Sequence, residues 1–405
     1  MSVNFVSFEE SMEKLIGSME ASKSYEKVFL EDALGRVLAE DIVASHNSPA
    51  YPTSAMDGYA FKFEDQGLER LKIQGMLPAG EYKEEEVIAG MCIKTFTGSL
   101  VCCGADTMIP IENVEVEGDE IIIKEEVPFG FSVRPVGENY KEGEVLISKG
   151  AKLDFSEIGV LASLNVSQVS VHRRPKVAVL STGSEILDVG EKQTNPSQIR
   201  SSNQFTLAAL AKKVGADVYR SPLEKDDKDT IERAIKDALA HSDIVVTTGG
   251  VSVGDYDFVK DILAGMDAEY ITEGVTLKPG QHIKIVKVGK KYIFALPGFP
   301  YSSTVTFILY VIPMIRSMMG LSPELPMKRA KLSSEYKKKS KKSEIAVGNL
   351  RYHDSQYHID FKGKRAGSSA IMTNMLGDTA LIMIDKESQG VASGEEVNFI
   401  DMDAL

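Results

Sequence analysis

Tryptophan is missing from this chain altogether, and cysteine nearly so: only Cys92, Cys102 and Cys103 occur in 405 residues. Three cysteines cannot build a disulfide framework and lack zinc-site spacing, which fits a reducing, cytoplasmic setting. The adjacent Cys102 and Cys103 read as small buried hydrophobes rather than a redox pair. Positive charge is in deficit as well, with 46 lysines and arginines against 59 acids and a net charge of −13. That balance argues against general nucleic-acid binding. It still allows an anionic ligand held locally by glycine loops and a few lysines. The six histidines form no ligand-spaced pair, and no Ser-His-Asp or Cys-His arrangement can be assembled from spacing. Long apolar runs are absent too. The most apolar stretch, 305–315, is too short to span a bilayer and contains Pro313, so it reads as a buried helix. Residues 1–10 have no basic region leading into an apolar core, hence no signal peptide and no membrane segment are expected.

What is present is an ordinary globular composition, 43% hydrophobic and 26% charged, on a chain long enough for two to four domains. Ser7-Phe8-Glu9-Glu10 is a capping box, followed by Phe8, Met12, Leu15, Ile16 and Met19 at helical spacing. This helix and the 305–315 segment are candidate buried surfaces between copies of the chain. Residues 28–42 suggest another helix, and 46–60 a loop. From 71 to 133 short β-prone runs alternate with glycine turns, predicting a β-rich insert. Residues 144–153 look like a hairpin, and Asp154 with Glu157 caps a short helix. From 174 strands alternate with helices, which implies a parallel or mixed sheet covered by helices. Residues 321–342 read as a linker or exposed turn ending in a solvated lysine run. Four short strands after 347 suggest a small all-β terminal domain.

The stretch with the most chemical content is 242–257. Ile244, Val245 and Val246 suit a strand buried on both faces, and it runs into Gly249, Gly250 and Gly254. Those glycines permit close backbone approach and a ligand held by N–H groups. Three strand-end loops carry acids: Glu185, Asp226 with Asp227, and Asp255 with Asp257. Beside glycines and Lys278, such acids are what Mg²⁺ plus a phosphorylated ligand would need, because hard cations want oxygen donors.

Longer motifs carry a resemblance. Ser54-Ala55-Met56-Asp57-Gly58-Tyr59-Ala60, Thr97-Gly98, Ser181-Thr182-Gly183-Ser184-Glu185, Ser202-Asn203, the 248–254 loop, Lys278-Pro279-Gly280 and Leu296-Pro297-Gly298 follow one another in this order. The sequence resembles the molybdopterin molybdenumtransferases, bacterial MoeA and the E domain of gephyrin. The resemblance implies a multidomain α/β plus β fold. A helical linker domain would take 1–45 and 141–173, and a β-rich insert 46–140. A MogA-like α/β sandwich domain would take 174–320, and a small β-barrel-like domain 321–405. It implies insertion of molybdate into adenylylated molybdopterin with Mg²⁺-dependent release of AMP. A homodimer is expected, its cleft shared between domain III of one subunit and domain II of the other, with a MogA-like adenylyltransferase and molybdoenzymes as partners.

Carried over by motif, the catalytic set is Asp57, Thr97, Glu185, Asp226 and Asp257, the last three also handling Mg²⁺. Ser202, Asn203, Gly249, Gly250, Ser252 and Gly254 would hold the pterin or nucleotide, and Lys278 and Ser302 approach molybdate. Departures from the family pattern gather on the molybdate side: Gln281-His282 after Lys278-Pro279-Gly280, Phe299 after Gly298, Asn139 after Glu138, and no arginine near Val347. Two readings follow. One is a transferase using substitutes such as Gln281, His282 and Ser302; the other is a non-catalytic carrier or scaffold of the same fold.

Overall fold

β-branched runs decide the centre of the first of two units. Residues 1–28, 35–39 and 170–405 form this unit, and 29–34 with 40–169 form the second. The computed structural model describes residues 5–20, 24–251, 258–365 and 367–405. In the first unit six strands run in the order Asp217–Arg220, Lys176–Ser181, Ile244–Thr248, Lys291–Leu296, Lys284–Val288, Glu269–Thr272. The first four are parallel; Lys284–Val288 joins them antiparallel through the hairpin around Gly289, and Glu269–Thr272 pairs antiparallel with it in turn. Side chains alternate between faces with the period of two that a strand imposes. Val177, Val179, Ile244, Val246, Phe294 and Leu296 enter one core. Ala178, Leu180, Val245, Ile293 and Ala295 enter another, with Ile231, Ile235 and Ala238 of the helix Lys228–His241. Burial on both faces is why the run reads as continuously apolar rather than alternating.

The helices Asn203–Lys213 and Phe258–Ala264 form where the sequence placed them. Asp227 caps Lys228–His241, its carboxylate accepting the Thr230 N–H at 2.9 Å. The apolar segment is a helix over 300–318, α-helical at both ends and π-helical over Phe307–Val311. Pro313 has no N–H to give to the Leu309 carbonyl, so the regular ladder is interrupted close to where the wider turn occurs. This helix and the N-terminal helix Phe8–Ser18 lie in the same core. Ser7 caps the latter, and Ser11 Oγ and Tyr310 Oη share a buried hydrogen bond of 2.7 Å. The 300–318 helix is thereby buried within the unit, whereas of the N-terminal stripe only Leu15 is fully buried and Ile16 stays exposed.

The C-terminal strands close into a five-stranded barrel: Ser343–His353, Gln356–Asp360, Met327–Leu332, Glu396–Asp401 and Thr379–Ile384, the last pairing back with the first. A sixth, Leu277–Lys278, comes from the α/β part of the chain and pairs in parallel with Ser343–His353, setting Lys278 opposite Glu344.

In the second unit one six-stranded sheet runs Thr107–Pro110, Gly58–Phe61, Met91–Thr95, Arg70–Leu77, Glu120–Ile123, Val114–Glu117. Tyr59, Phe61, Leu71, Cys92, Ile109 and Ile121 fill its core. Asp154 and Glu157 complete a reciprocal capping box on the helix Phe155–Ser163.

Several sequence expectations fail for identifiable reasons. Residues 28–42 are not a helix but the end of the strand Tyr25–Phe29, a 3₁₀ turn Leu30–Asp32, and the strand Ile42–Val43. Gly35, at φ +74°, breaks any helix there. Val145–Ile147 forms no local hairpin; it pairs with Ile42–Val43, a partner about a hundred residues away that no local pattern reveals. The supposed linker 321–342 contains a barrel strand, Met327–Leu332. The end of the 46–60 loop is the buried strand Gly58–Phe61. Of the cysteines, Cys92 and Cys102 are buried but Cys103 is exposed. Burial pushes the Cys92 thiol up to about 12, so it is inert near neutrality. Among the described residues no helix is long and apolar enough to cross a membrane.

Gly58 packs under the tightest constraint in this sheet. Its strand is hydrogen-bonded on both sides, and a Cβ there would sit 2.2 Å from the Ile109 carbonyl oxygen. Gly58→Ala must force two paired strands apart, an overpacking cost of about 1–3 kcal/mol. The expected result is a lowered thermal midpoint with faster hydrogen exchange in Gly58–Phe61 and Thr107–Pro110. Wild-type exchange in both strands would show the contact to be yielding.

Candidate active site

Three neighbouring parallel strands end at one cavity of about 800 Å³ in the first unit. Thr182 follows Lys176–Ser181, Gly249 and Gly250 follow Ile244–Thr248, and Gly298 follows Lys291–Leu296, and all four line it. This is the carboxyl edge where open α/β sheets bind ligands. Gly249 and Gly250 hold φ of +94° and +68°. A Cβ on Gly250 would lie 2.9 Å from Val259 Cγ2, so a larger residue is opposed by both conformation and space.

Asn203 opens the helix Asn203–Lys213 at the same edge. Its Nδ2 donates to the Gly298 carbonyl at 2.7 Å. Its Oδ1 is buried with no partner among the described residues, and so is Ser201 Oγ. Both residues line the cavity. An orphaned buried polar atom costs about 1–3 kcal/mol, so two at one wall mark a place where a ligand completes the hydrogen bonding. Ser202, Lys278, Ser302 and Glu185 also line the cavity, as do Gln281 and His282.

The acids are distributed differently. Asp226 is not in the lining; its carboxylate accepts the Ser184 N–H at 2.9 Å, while its own N–H goes to Ser184 Oγ. Asp227 serves as helix cap. Among the described residues no three His, Cys, Asp or Glu side chains gather as a metal cage. Ser252, Gly254, Asp255 and Asp257 lie outside the described residues. Mg²⁺, however, commonly uses one or two carboxylates and takes its other oxygens from substrate phosphate and water. Glu185 beside the glycine loop is compatible with that donor set.

Residues that sequence reasoning missed come mostly from the barrel. Tyr336, Lys341, Lys342, Glu344, Lys364 and Arg365 line the cavity. Glu344 is 2% exposed and accepts the Tyr336 hydroxyl at 2.6 Å. Burial, then the bond to Glu344, raises the Tyr336 pKa, which keeps this phenol protonated. The lysine run, read as wholly solvated, divides. Lys337 pairs with Glu335 at 3.5 Å and Lys338 donates to the Lys386 carbonyl at 2.7 Å, while Lys341 and Lys342 reach the cavity.

Asp57 and Thr97 belong to the second unit. Asp57 Oδ1 accepts both the Thr97 N–H at 2.8 Å and the Thr97 hydroxyl at 2.9 Å. The backbone bond first, and the hydroxyl bond next, hold the carboxyl below its ordinary value of 3.8.

Comparison with known proteins identifies the family. The family profile of the MoeA N-terminal region (domain I and II) matches residues 6–165, and that of the probable molybdopterin binding domain matches 178–317. The molybdopterin molybdenumtransferase of Nostoc sp. is 32% identical over 394 residues, covering 95% of this chain and 90% of its own. That of Haemophilus influenzae is 30% identical, covering 97% of both. The chain belongs to the molybdopterin molybdenumtransferase family. The crystal structure of the molybdopterin biosynthesis MoeA protein from Pyrococcus horikoshii superposes with a TM-score of 0.84 at 28% identity, covering 98% of this chain and 99% of that one. Family membership makes this an enzyme of molybdenum cofactor biosynthesis, with the multidomain α/β plus β fold that the resemblance implied.

The Asp57 turn yields a test by titration. Its pKa is depressed, so the bonds to Thr97 are at full strength above the ordinary carboxylate value and fade as pH falls through the lower, folded one. Thr97→Val keeps the N–H but removes the hydroxyl. Carboxyl NMR should then show the Asp57 pKa rising part of the way toward 3.8. An unchanged titration would mean that the hydroxyl bond contributes nothing.

Proposed function

We propose that the chain inserts molybdate into adenylylated molybdopterin and releases AMP. The observation that carries this reading is the cavity at the carboxyl strand edge, with Asn203 Oδ1 and Ser201 Oγ buried and unpartnered in its wall. A pterin offers N–H groups to such acceptors. Gly249 and Gly250 offer close backbone approach to a phosphate, with Ser202, Ser252 and Gly254 as further candidates for the pterin-nucleotide. Lys278 and Ser302 supply a cation and a hydroxyl for molybdate, a dianion that such donors stabilise.

Mg²⁺ would be held by Glu185, with Asp226 and Asp257 as further candidates, and would neutralise charge on the phosphate oxygens of the departing AMP. The protein's own part is positioning: Asn203 orients the ring, the glycine loop holds the phosphate, and the cations bring molybdate to the dithiolene. Asp57 and Thr97 are kept as catalytic candidates, contributed by the second copy of a homodimer. The four-part division at 1–45 with 141–173, 46–140, 174–320 and 321–405 belongs to the same proposal. So do a cytoplasmic location, supply by a MogA-like adenylyltransferase and delivery to molybdoenzymes.

The deciding assay is AMP release from adenylylated molybdopterin, with and without molybdate and Mg²⁺. Release that depends on both is expected. Pterin binding without release would favour a carrier. Glu185→Gln should raise the Mg²⁺ concentration needed by roughly ten- to a hundredfold, the value of one charge-assisted contact, with an unchanged thermal midpoint. Asn203→Ala should weaken pterin binding by about two- to tenfold, the value of one neutral hydrogen bond. A Glu185→Gln enzyme with the parent's Mg²⁺ dependence would remove Glu185 from the metal-holding role.

A further inference from the structure

The start of the 300–318 helix carries an unusual side chain for its position. Phe299 is the N-cap, where serine, threonine, aspartate or asparagine would ordinarily accept an N–H of the first turn. No side-chain bond caps this end. The first turn is satisfied by other means. Pro300 has no N–H, and the Ser369 carbonyl accepts the N–H groups of Tyr301 at 3.1 Å and Ser302 at 3.2 Å. The Phe299 carbonyl accepts that of Ser303 at 2.9 Å. Position 299 is thereby relieved of capping, and its side chain is left to the cavity it lines.

Phe299 also differs from the other rings of the lining. Tyr301 and Tyr336 are each 6% exposed, with their hydroxyls on the Ile345 carbonyl and on Glu344. Phe361 packs on Tyr336 with ring centres 4.8 Å apart, and His282 packs against Phe5 at 5.8 Å. Phe299 is 59% exposed, and among the described residues no ring or cation packs on it. Of the large apolar side chains in the lining, Ile199 is the other that is more than half exposed. Exposed apolar surface inside a cavity is what an apolar ligand face covers. The backbone beneath Phe299 is held in place. Asn203 Nδ2 donates to the carbonyl of Gly298, the residue before it, at 2.7 Å, and a Cβ on Gly298 would already touch Gly249 at 3.6 Å. The exposed ring thus follows directly on the point where the glycine loop and Asn203 meet Gly298.

We infer that Phe299 is the stacking surface for the pterin ring in this cavity, and a specificity-determining contact for the reaction. The inference rests on the transferase reading above, which supplies that ring. A phenyl face and a flat nitrogen heterocycle attract through dispersion and offset stacking. The adenylylated substrate holds two such heterocycles, pterin and adenine. Adenine joined to ribose donates only through its exocyclic amino group, whereas a pterin donates through a ring N–H and the adjacent amino group. Two unpartnered buried oxygens in the wall, Asn203 Oδ1 and Ser201 Oγ, match the pterin. Those oxygens meet the edge of the ring, and Phe299 covers its face.

The test is titration of the full chain with pterin-6-carboxylate, followed by the pterin's own fluorescence. Phe299→Ala should weaken binding by about five- to a hundredfold, the value of one base stacked on an aromatic ring. Phe299→Leu, which keeps apolar bulk without a π-face, should fall between it and the parent, and Phe299→Tyr should match the parent. AMP binding by equilibrium dialysis and the thermal midpoint should not move. By NMR the pterin ring proton should shift upfield on binding the parent, and this shift should vanish in Phe299→Leu. Equal pterin affinity in parent and Phe299→Ala would overturn the inference, as would a parent that binds no pterin. Weakened AMP binding with unchanged pterin binding would also overturn it, giving the ring to adenine. If the titration gives the expected pattern but the AMP-release assay shows no turnover, the transferase reading fails while the stacking contact stands. Turnover of adenylylated molybdopterin with an unchanged KM in Phe299→Ala would do the reverse.

Discussion

Burial of one sheet on both faces is the constraint from which the rest of the first unit follows. Lys176–Ser181, Ile244–Thr248 and Lys291–Leu296 are covered above and below, so their register cannot slip without moving an entire set of apolar side chains into the wrong core. Their carboxyl ends are therefore fixed in space. The loops that leave those ends carry Thr182, Glu185, Gly249, Gly250 and Gly298 to one cavity, whose position is set by packing rather than by the loops' own preferences.

Against that rigid edge the electrostatics are arranged by contrast. The chain as a whole is acidic, yet Lys278, Lys341, Lys342 and Arg365 line a single cavity. Cations outnumber the acids Glu185 and Glu344 in that lining, so an anion entering it is attracted more strongly than net charge would suggest. Net charge alone therefore describes this protein's ligand poorly. Its partners in the bulk and its ligand in the cavity meet opposite signs.

Much of this was legible in the residues. Most strand and helix positions from 174 to 319 follow from β-branched runs, helical spacing and glycine punctuation, the edge strand Glu269–Thr272 excepted, and the Asp154–Glu157 capping box announces its helix. The seven residues from Ser54 to Ala60 now have a physical account: Asp57 accepts from Thr97, Gly58 fits against the Ile109 carbonyl, and Tyr59 and Ala60 are buried in a central strand. What could not be read depends on distant partners. Val145–Ile147 pairs with Ile42–Val43, and Lys341, Lys342 and Arg365 reach the cavity because the barrel folds back on itself. Ser201 was missed because a serine beside a motif gives no sign, in sequence, that its hydroxyl will be buried without a partner.

The pairing of Leu277–Lys278 with Ser343–His353 also bears on modularity. The barrel looks like a cassette, closed on itself and beginning soon after the 300–318 helix. One of its hydrogen-bonded neighbours is nevertheless encoded some fifty residues before the barrel starts. Excised on its own, the barrel would bare amides and carbonyls along that edge, an invitation to pair with whatever strand came near. Recombination between relatives at a boundary near 320 would likewise separate Lys278 from the Glu344 it lies opposite. The inheritable unit is thus the α/β sheet and barrel together, with that short strand as the seam.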